Sequence, residues 1–152
     1  MIRVIGRKNV GAGIVYIVLA VAGIAILVGL LLDFIGENQI STRLIPMLVF
    51  GVIITAIGGF LSVKFLTIPM EIIKVDSSGR IYLPKGVTLY AVDLVDISYK
   101  QAKARHATYS WGDVIISTHM GAYTCSFVSE CEAVAKELSE MMYRAKFDTE
   151  NI

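Results

Sequence analysis

The stretch that decides the fold is Val10–Leu32, VGAGIVYIVLAVAGIAILVGLLL, followed after a short polar interval by Leu44–Val63, LIPMLVFGVIITAIGGFLSV. Neither run holds an Asp, Glu, Lys or Arg. Coiled as helices, both are long enough to cross a hydrocarbon core of ~30 Å, so transmembrane helices are expected over 10–32 and 44–63. A cleaved signal peptide is the competing reading, with Arg3, Arg7 and Lys8 as its basic start and Ala20-Val21-Ala22 as its cleavage site. The apolar run continues through Ile24, Ile26, Leu27 and Leu30 to Leu32, whereas a signal core is about 7 to 15 residues. The expectation is therefore a permanent hairpin anchor in residues 1–68, held by membrane lipids, and a separate domain in residues 69–152.

Charge fixes the expected orientation. Arg3, Arg7 and Lys8 precede the first helix, Arg43 alone lies in the Asp33–Arg43 connection, and Lys64, Lys74 and Arg80 follow the second. The positive-inside rule then puts both termini in the cytoplasm of a multi-pass cell-membrane protein and the connection outside. Cys125 and Cys131 would sit in a reducing compartment as thiols. Helices in lipid need small residues for close contact, and two stripes offer them: Ala22, Ala25 and Gly29 in the first, and Gly51, Thr55 and Gly59, flanked by Gly58 and Ser62, in the second. These stripes can serve the hairpin itself or a second protomer. An ion or proton pathway needs ionisable groups within the membrane, and these runs have none, which argues against a transporter working alone.

The chain's mean hydropathy of +0.67 and 55% hydrophobic content are too apolar for an ordinary soluble domain, and the excess lies almost wholly before Lys64. From Lys64 onward ten Lys or Arg face eleven Asp or Glu, so no nucleic-acid partner is expected. Pro69 ends the second helix with almost no linker. From Glu71 the period drops to two, and strands are predicted over 71–75, 80–83, 87–92, 95–101, 104–109, 113–118 and 122–128. Turns fall at Asp76–Gly79, Pro84–Gly86 and His119–Gly121. Ser129 with Glu132 reads as a capping box opening a helix whose Val134, Leu138, Met141, Met142 and Ala145 share one side.

About seven short antiparallel strands and a closing helix suggest a strongly bent sheet or open barrel plugged at one end. The segments Ile81-Tyr82-Leu83-Pro84-Lys85-Gly86, Val92-Asp93-Leu94-Val95-Asp96-Ile97 and Trp111-Gly112-Asp113-Val114-Ile115-Ile116-Ser117-Thr118, with that helix, resemble the bacterial pleckstrin-homology (PH)-like domain family. In that family two transmembrane helices often precede the domain. The resemblance implies a binding fold and no catalytic residue.

Phosphoinositide-binding relatives gather phosphate with Lys and Arg between their first two strands. The loop read as equivalent here, Asp76-Ser77-Ser78-Gly79-Arg80, has one cation and one acid, so specific phosphoinositide binding is not expected. Lys100, Lys103, Arg105 and His106 form the one basic cluster, either a solvated hairpin or a contact for anionic lipid. Tyr109 and Trp111 lie on one strand face, as a core anchor or a partner groove. Cys125, Cys131, His106 and His119 lack the paired spacing of a zinc site, and no phosphate-cradling glycine loop or nucleophile motif is present. The reading is an enzymatically inactive, cofactor-free adaptor or scaffold that binds a protein partner or a second copy of itself. The alternative is an accessory subunit of a larger transporter or envelope complex, packed through its helices.

Overall fold

A computed structural model describes residues 2–37 and 44–150. They divide into two compact units, Val10–Thr67 on one side and Met1–Asn9 with Ile68–Ile152 on the other. The helical unit consists of α1 (Val10–Glu37) and α2 (Leu44–Thr67). Both outrun the charge-free segments, because Asp33 to Glu37 and Lys64 to Thr67 continue the turns. Pro46 costs little, since it sits in the first turn of α2 where its missing N–H has no intrahelical partner to lose. Residues 38–43, the rest of the expected connection, lie outside the described residues. Both helices are long and apolar enough to cross a membrane, and their most apolar windows are only 6% and 11% buried. A core helix of a soluble domain would show the reverse burial.

The two helices run antiparallel and touch where side chains are absent. A Cβ on Gly58 would lie 2.7 Å from the Ala20 amide nitrogen, and one on Gly23 would lie 2.4 Å from Thr55 Oγ1. Gly51 faces Ile26 and Leu27, while Gly13 lies against the Phe65 ring. Thr55 donates its hydroxyl hydrogen to the Gly51 carbonyl at 2.8 Å, which removes a polar group from an apolar seam. Gly51 and Thr55 therefore line the contact, whereas Ala22, Ala25 and Gly29 are exposed and Gly59 has open space beside it. The facing stripe of α1 is Gly13, Ala20, Gly23 and Leu27, about half a turn from the one expected. Small residues on both sides of α1 made composition unable to choose between them.

The second unit is built from β1 (Ile2–Arg7), β2 (Glu71–Asp76), β3 (Arg80–Tyr82), β4 (Thr88–Tyr90), β5 (Leu94–Ala104), β6 (Ala107–Thr118), β7 (Gly121–Val128) and α3 (Cys131–Glu150). One antiparallel sheet has the order β1-β2-β3-β4 and the other β5-β6-β7. The count of seven matches expectation, but the set differs. Two predicted strands, 104–109 and 113–118, are one continuous β6, and the turn before it falls at Arg105-His106. The seventh strand is β1, which the sequence reading had placed with the anchor in residues 1–68.

β1 pairs with β2 across the whole helical insertion, Ile2 opposite Asp76 and Arg7 opposite Glu71. Gly6 sits at a register shift opposite Ile73, where a Cβ would lie 3.0 Å from that of Ile73. Beyond β1 the chain also reaches the other sheet: Lys8 bridges Val128, Asn9 N–H donates to the Phe127 carbonyl at 2.8 Å, and Ser129 N–H donates to the Arg7 carbonyl at 2.8 Å. The sheets thus join along β1 and β7, leaving β4 and β5 as outer strands. Their inner faces, with Ile72, Ile81, Leu94, Val114, Ile116 and Val128, close on the Cys131, Val134, Ala135, Leu138 and Met142 side of α3.

The predicted turns at Asp76–Gly79, Pro84–Gly86 and His119–Gly121 are present, the last with Gly121 already opening β7, and Gly79, Lys85 and Gly86 hold φ 75°, 65° and 76°. The start of α3 is not a capping box. Glu130 enters the helix from φ 49°, Ser129 spends its N–H on Arg7, and Glu132 accepts from Gln101 Nε2 at 3.3 Å. A strand returning from residues 2–7 supplies the partner that the local pattern assigned to Glu132.

Candidate functional site

Two surface features follow from this topology. The first is the β5–β6 hairpin. β7 pairs with β6 only from Thr118 back to Gly112, which lies opposite Val128. Beyond that level β5 and β6 continue alone, with Lys103 opposite Thr108 and Ala104 opposite Ala107, to the turn at Arg105-His106. At ~3.3 Å per residue this two-stranded ribbon projects about 15 Å past the sheet. Lys103, Arg105, His106 and Tyr109 are exposed on it, Lys100 is exposed at its base opposite Asp113, and none of Lys100, Lys103 and Arg105 makes an ion pair among the described residues.

Trp111 stands at the root of the ribbon. It is half-buried, its ring centroid 6.1 Å from that of Tyr109 and 6.0 Å from that of Phe127. Tyr109 is 44% exposed and Phe127 only 6%, so the aromatic row runs from solvent into the core. Trp111 is thus in part the core anchor, with the rest of its side chain at the surface beside Tyr109. Phe127 holds φ 61°, a left-handed value rare for a bulky residue, at the register shift between β7 and β6, and presents its carbonyl to Asn9. Nothing local in the sequence announces that residue, because its partners are Trp111 and Asn9.

The register also locates the ends of the helical insertion. Lys8 N–H donates to the Met70 carbonyl at 2.9 Å, and Lys8 Nζ donates to the Ile68 carbonyl at 2.8 Å. Partial burial pushes the Lys8 ammonium pKa down. The chain leaves the β unit at Asn9 and returns at Ile68, side by side, at the Val128 end of β7. That is the end from which the β5–β6 ribbon projects. The sequence-predicted basic cluster and aromatic pair therefore share one ribbon, on the same side of the β unit as both entry points.

The second feature is the open corner between the outer strands. Tyr90, Val92 and Val95 are 49%, 47% and 45% exposed there, and the Arg80 guanidinium lies 5.7 Å from the Tyr90 ring centroid. A register shift between Leu94 and Asp96 turns Val95 outward, away from the core that Leu94 enters. Outer strands present unpaired backbone groups on one side, the template for strand addition. On the opposite side of β5, Tyr99 and Gln101 reach α3. The hydrogen bond to Glu132, then partial burial, raises the Tyr99 pKa.

Chemistry-bearing residues are dispersed. No group of three His, Cys, Asp or Glu able to hold a metal occurs among the described residues. Cys125 and Cys131 are buried free thiols; burial, then the Asp113 charge, pushes Cys125 up to about 11, and burial raises Cys131 as well. Neither is poised as a thiolate nucleophile at neutral pH. The Asp76–Arg80 turn joins β2 to β3, so it is not the link between the first two strands. That link is the helical pair itself. Asp76 instead closes its own turn, accepting from Ser77 N–H at 2.8 Å and Ser78 Oγ at 3.0 Å. Comparison with protein-family models, curated proteins and solved structures gives no match.

Proposed function

We propose that this chain is a membrane-anchored, PH-like interaction module: a non-catalytic adaptor or scaffold held at the cytoplasmic face of a prokaryotic cell membrane. The observation that carries this reading is the pairing of β1 with β2 across the helices. A strand bond between residues before and after the insertion keeps Asn9 and Ile68 on one side of any bilayer, so the insertion crosses twice or not at all. Cleavage after Ala22 would strip β1 from the sheet, which argues against a signal peptide. The basic residues next to the entry points, Arg7, Lys8 and Lys64, favour the cytoplasmic side for the β unit.

The four-plus-three strand arrangement closed by α3 supports PH-like architecture. Fold alone does not identify a ligand. The open β4–β5 corner supports a protein partner taken by strand addition, with backbone hydrogen bonds for affinity and Tyr90, Val92 and Val95 for specificity. A second reading has one observation in its favour. Ala22, Ala25, Gly29 and Gly59 remain uncovered on the helices, where an accessory subunit would meet a larger membrane complex.

One experiment separates them. Photo-crosslinking residues are placed singly at Val95 and at Ala25 of the full-length protein in its native membranes, and stoichiometric adducts are identified by mass. Capture from Val95 supports the adaptor, and capture from Ala25 alone supports the subunit. Capture from neither, with the protein purifying as a single species, would refute both.

A further inference from the structure

The segment Ile97–Gly112, ISYKQAKARHATYSWG, contains no Asp or Glu, yet Asp96 and Asp113 stand immediately outside it. The near-neutral β unit therefore places two permanent cations, Lys103 and Arg105, on the one part that extends beyond its sheet, with a third, Lys100, exposed at its base opposite Asp113. Such a ribbon gains nothing for the core. Its residues from Lys103 to Ser110 are all exposed, and its cations are not used in ion pairs among the described residues. Beside them stand Tyr109 and Trp111, amphipathic rings of the kind that collect at the boundary between water and lipid. The register places this ribbon on the side of the β unit where the chain passes to the helices at Asn9 and returns at Ile68.

We propose that the β5–β6 hairpin is an interfacial anchor that lays its cations among anionic lipid headgroups and Tyr109 at their level. The inference rests on the reading that α1 and α2 cross the bilayer. The surface of an anionic leaflet attracts exposed Lys and Arg within about a Debye length, and each cation near it shifts the balance toward the membrane by about fivefold. Three cations together shift it by roughly a hundredfold. The recognition is of surface charge, not of one headgroup, because nothing in the ribbon encloses a phosphate. A protein groove is the weaker occupant: the ribbon is polar between its aromatics, with Thr108 and Ser110 alternating with Tyr109 and Trp111.

The test uses the full-length chain reconstituted in phosphatidylcholine bilayers with and without phosphatidylglycerol. A nitroxide is attached at Thr108→Cys, the native thiols being buried, and a second sample carries it at Ile24→Cys in α1. Accessibility to a water-soluble and a lipid-soluble relaxing agent reports the depth of each. The expected result is an Ile24→Cys label in hydrocarbon in both lipids. The Thr108→Cys label should be at headgroup depth only with phosphatidylglycerol, returning to water in high salt or with Lys100→Gln, Lys103→Gln and Arg105→Gln combined. Trp111, the one tryptophan of the chain, gives a label-free second reading through quenching by lipids brominated high on their chains.

A hydrocarbon helix label with an aqueous tip in both lipids overturns the anchor and leaves the membrane reading standing. Aqueous labels at both positions overturn both. A tip shielded equally in both lipids and indifferent to the three substitutions overturns the lipid contact in favour of a protein one.

Discussion

Removing β1 is the perturbation that most directly probes this architecture. A chain of residues 68–152 contains every strand the sequence pattern predicts and lacks only Ile2–Arg7 and the two residues after it. Its loss deletes the β1–β2 ladder and the bonds from Lys8 to Met70, Asn9 to Phe127 and Ser129 to Arg7. The last three alone contribute on the order of 3 kcal/mol at about 1 kcal/mol each. Ile5, packed against the core, adds about 1 to 2 kcal/mol, and uncovering Ile73 and Val128, both fully buried, adds a similar amount. The total of roughly 5 kcal/mol or more is comparable with the whole stability of a domain this size. Residues 68–152 alone should therefore be molten or unfolded. Residues 2–9 joined to 68–152 by a short Gly-Ser linker should fold, because Lys8 already touches Met70 and Ile68. Urea titration followed by near-ultraviolet circular dichroism reads the difference. Two chains with equal midpoints and equally cooperative transitions would refute the role given to β1.

Other outcomes follow from the same geometry, and the linked β unit serves for two of them. Leu138→Ala, which opens a cavity where α3 meets the sheets, should cost about 2 to 5 kcal/mol in the urea titration. Gly23→Leu should separate α1 from α2 and lower the melting temperature of the full-length protein's helices in detergent, followed by far-ultraviolet circular dichroism, while Gly29→Leu, with nothing within 4 Å, should leave it unchanged. Alkaline pH should also weaken the β unit. The Cys125 thiol holds its proton up to about 11 in the fold against 9.0 otherwise, so the unfolded chain releases it first. Stability is then unaffected below about pH 9 and falls by up to ~1.4 kcal/mol per pH unit toward 11, a slope that Cys125→Ala should reduce.

What the sequence discloses is what depends on near neighbours. Charge-free runs identify α1 and α2, alternation identifies β2, β3, β4 and β7, and the apolar spacing of Val134, Leu138 and Met142 identifies α3. What it conceals depends on distant pairs. IRVIGR reads as a basic flank to an apolar helix, and only its partner Glu71–Asp76, more than sixty residues on, makes it a strand. The break predicted between Tyr109 and Asp113 is absent because Gly112 is clamped between strands: a Cβ there would lie 2.1 Å from the Lys100 carbonyl oxygen, so glycine marks close approach, not a turn. Lys100, Lys103, Arg105, Tyr109 and Trp111 were legible as residue types. That all but Lys100 share one projecting ribbon, with Lys100 at its base, required the Arg105-His106 turn and the full length of β6.

Placing the helical pair inside the β unit, rather than ahead of it, changes what weak surface contacts can do. A domain on one flexible tether would sample all orientations, and three cations at about 1 kcal/mol each would give a free domain only millimolar-range attraction to an anionic surface. Here the chain is fastened twice, at Asn9 and Ile68, and Lys8 bonds both Met70 and Ile68 across the gap. Two attachments leave a domain fewer orientations than one flexible tether does, so the weak attraction proposed for the ribbon would act at the effective concentration of an intramolecular contact, in the millimolar range for short connections. In the proposed anchor, a hairpin with few cations would then suffice as a third point of contact.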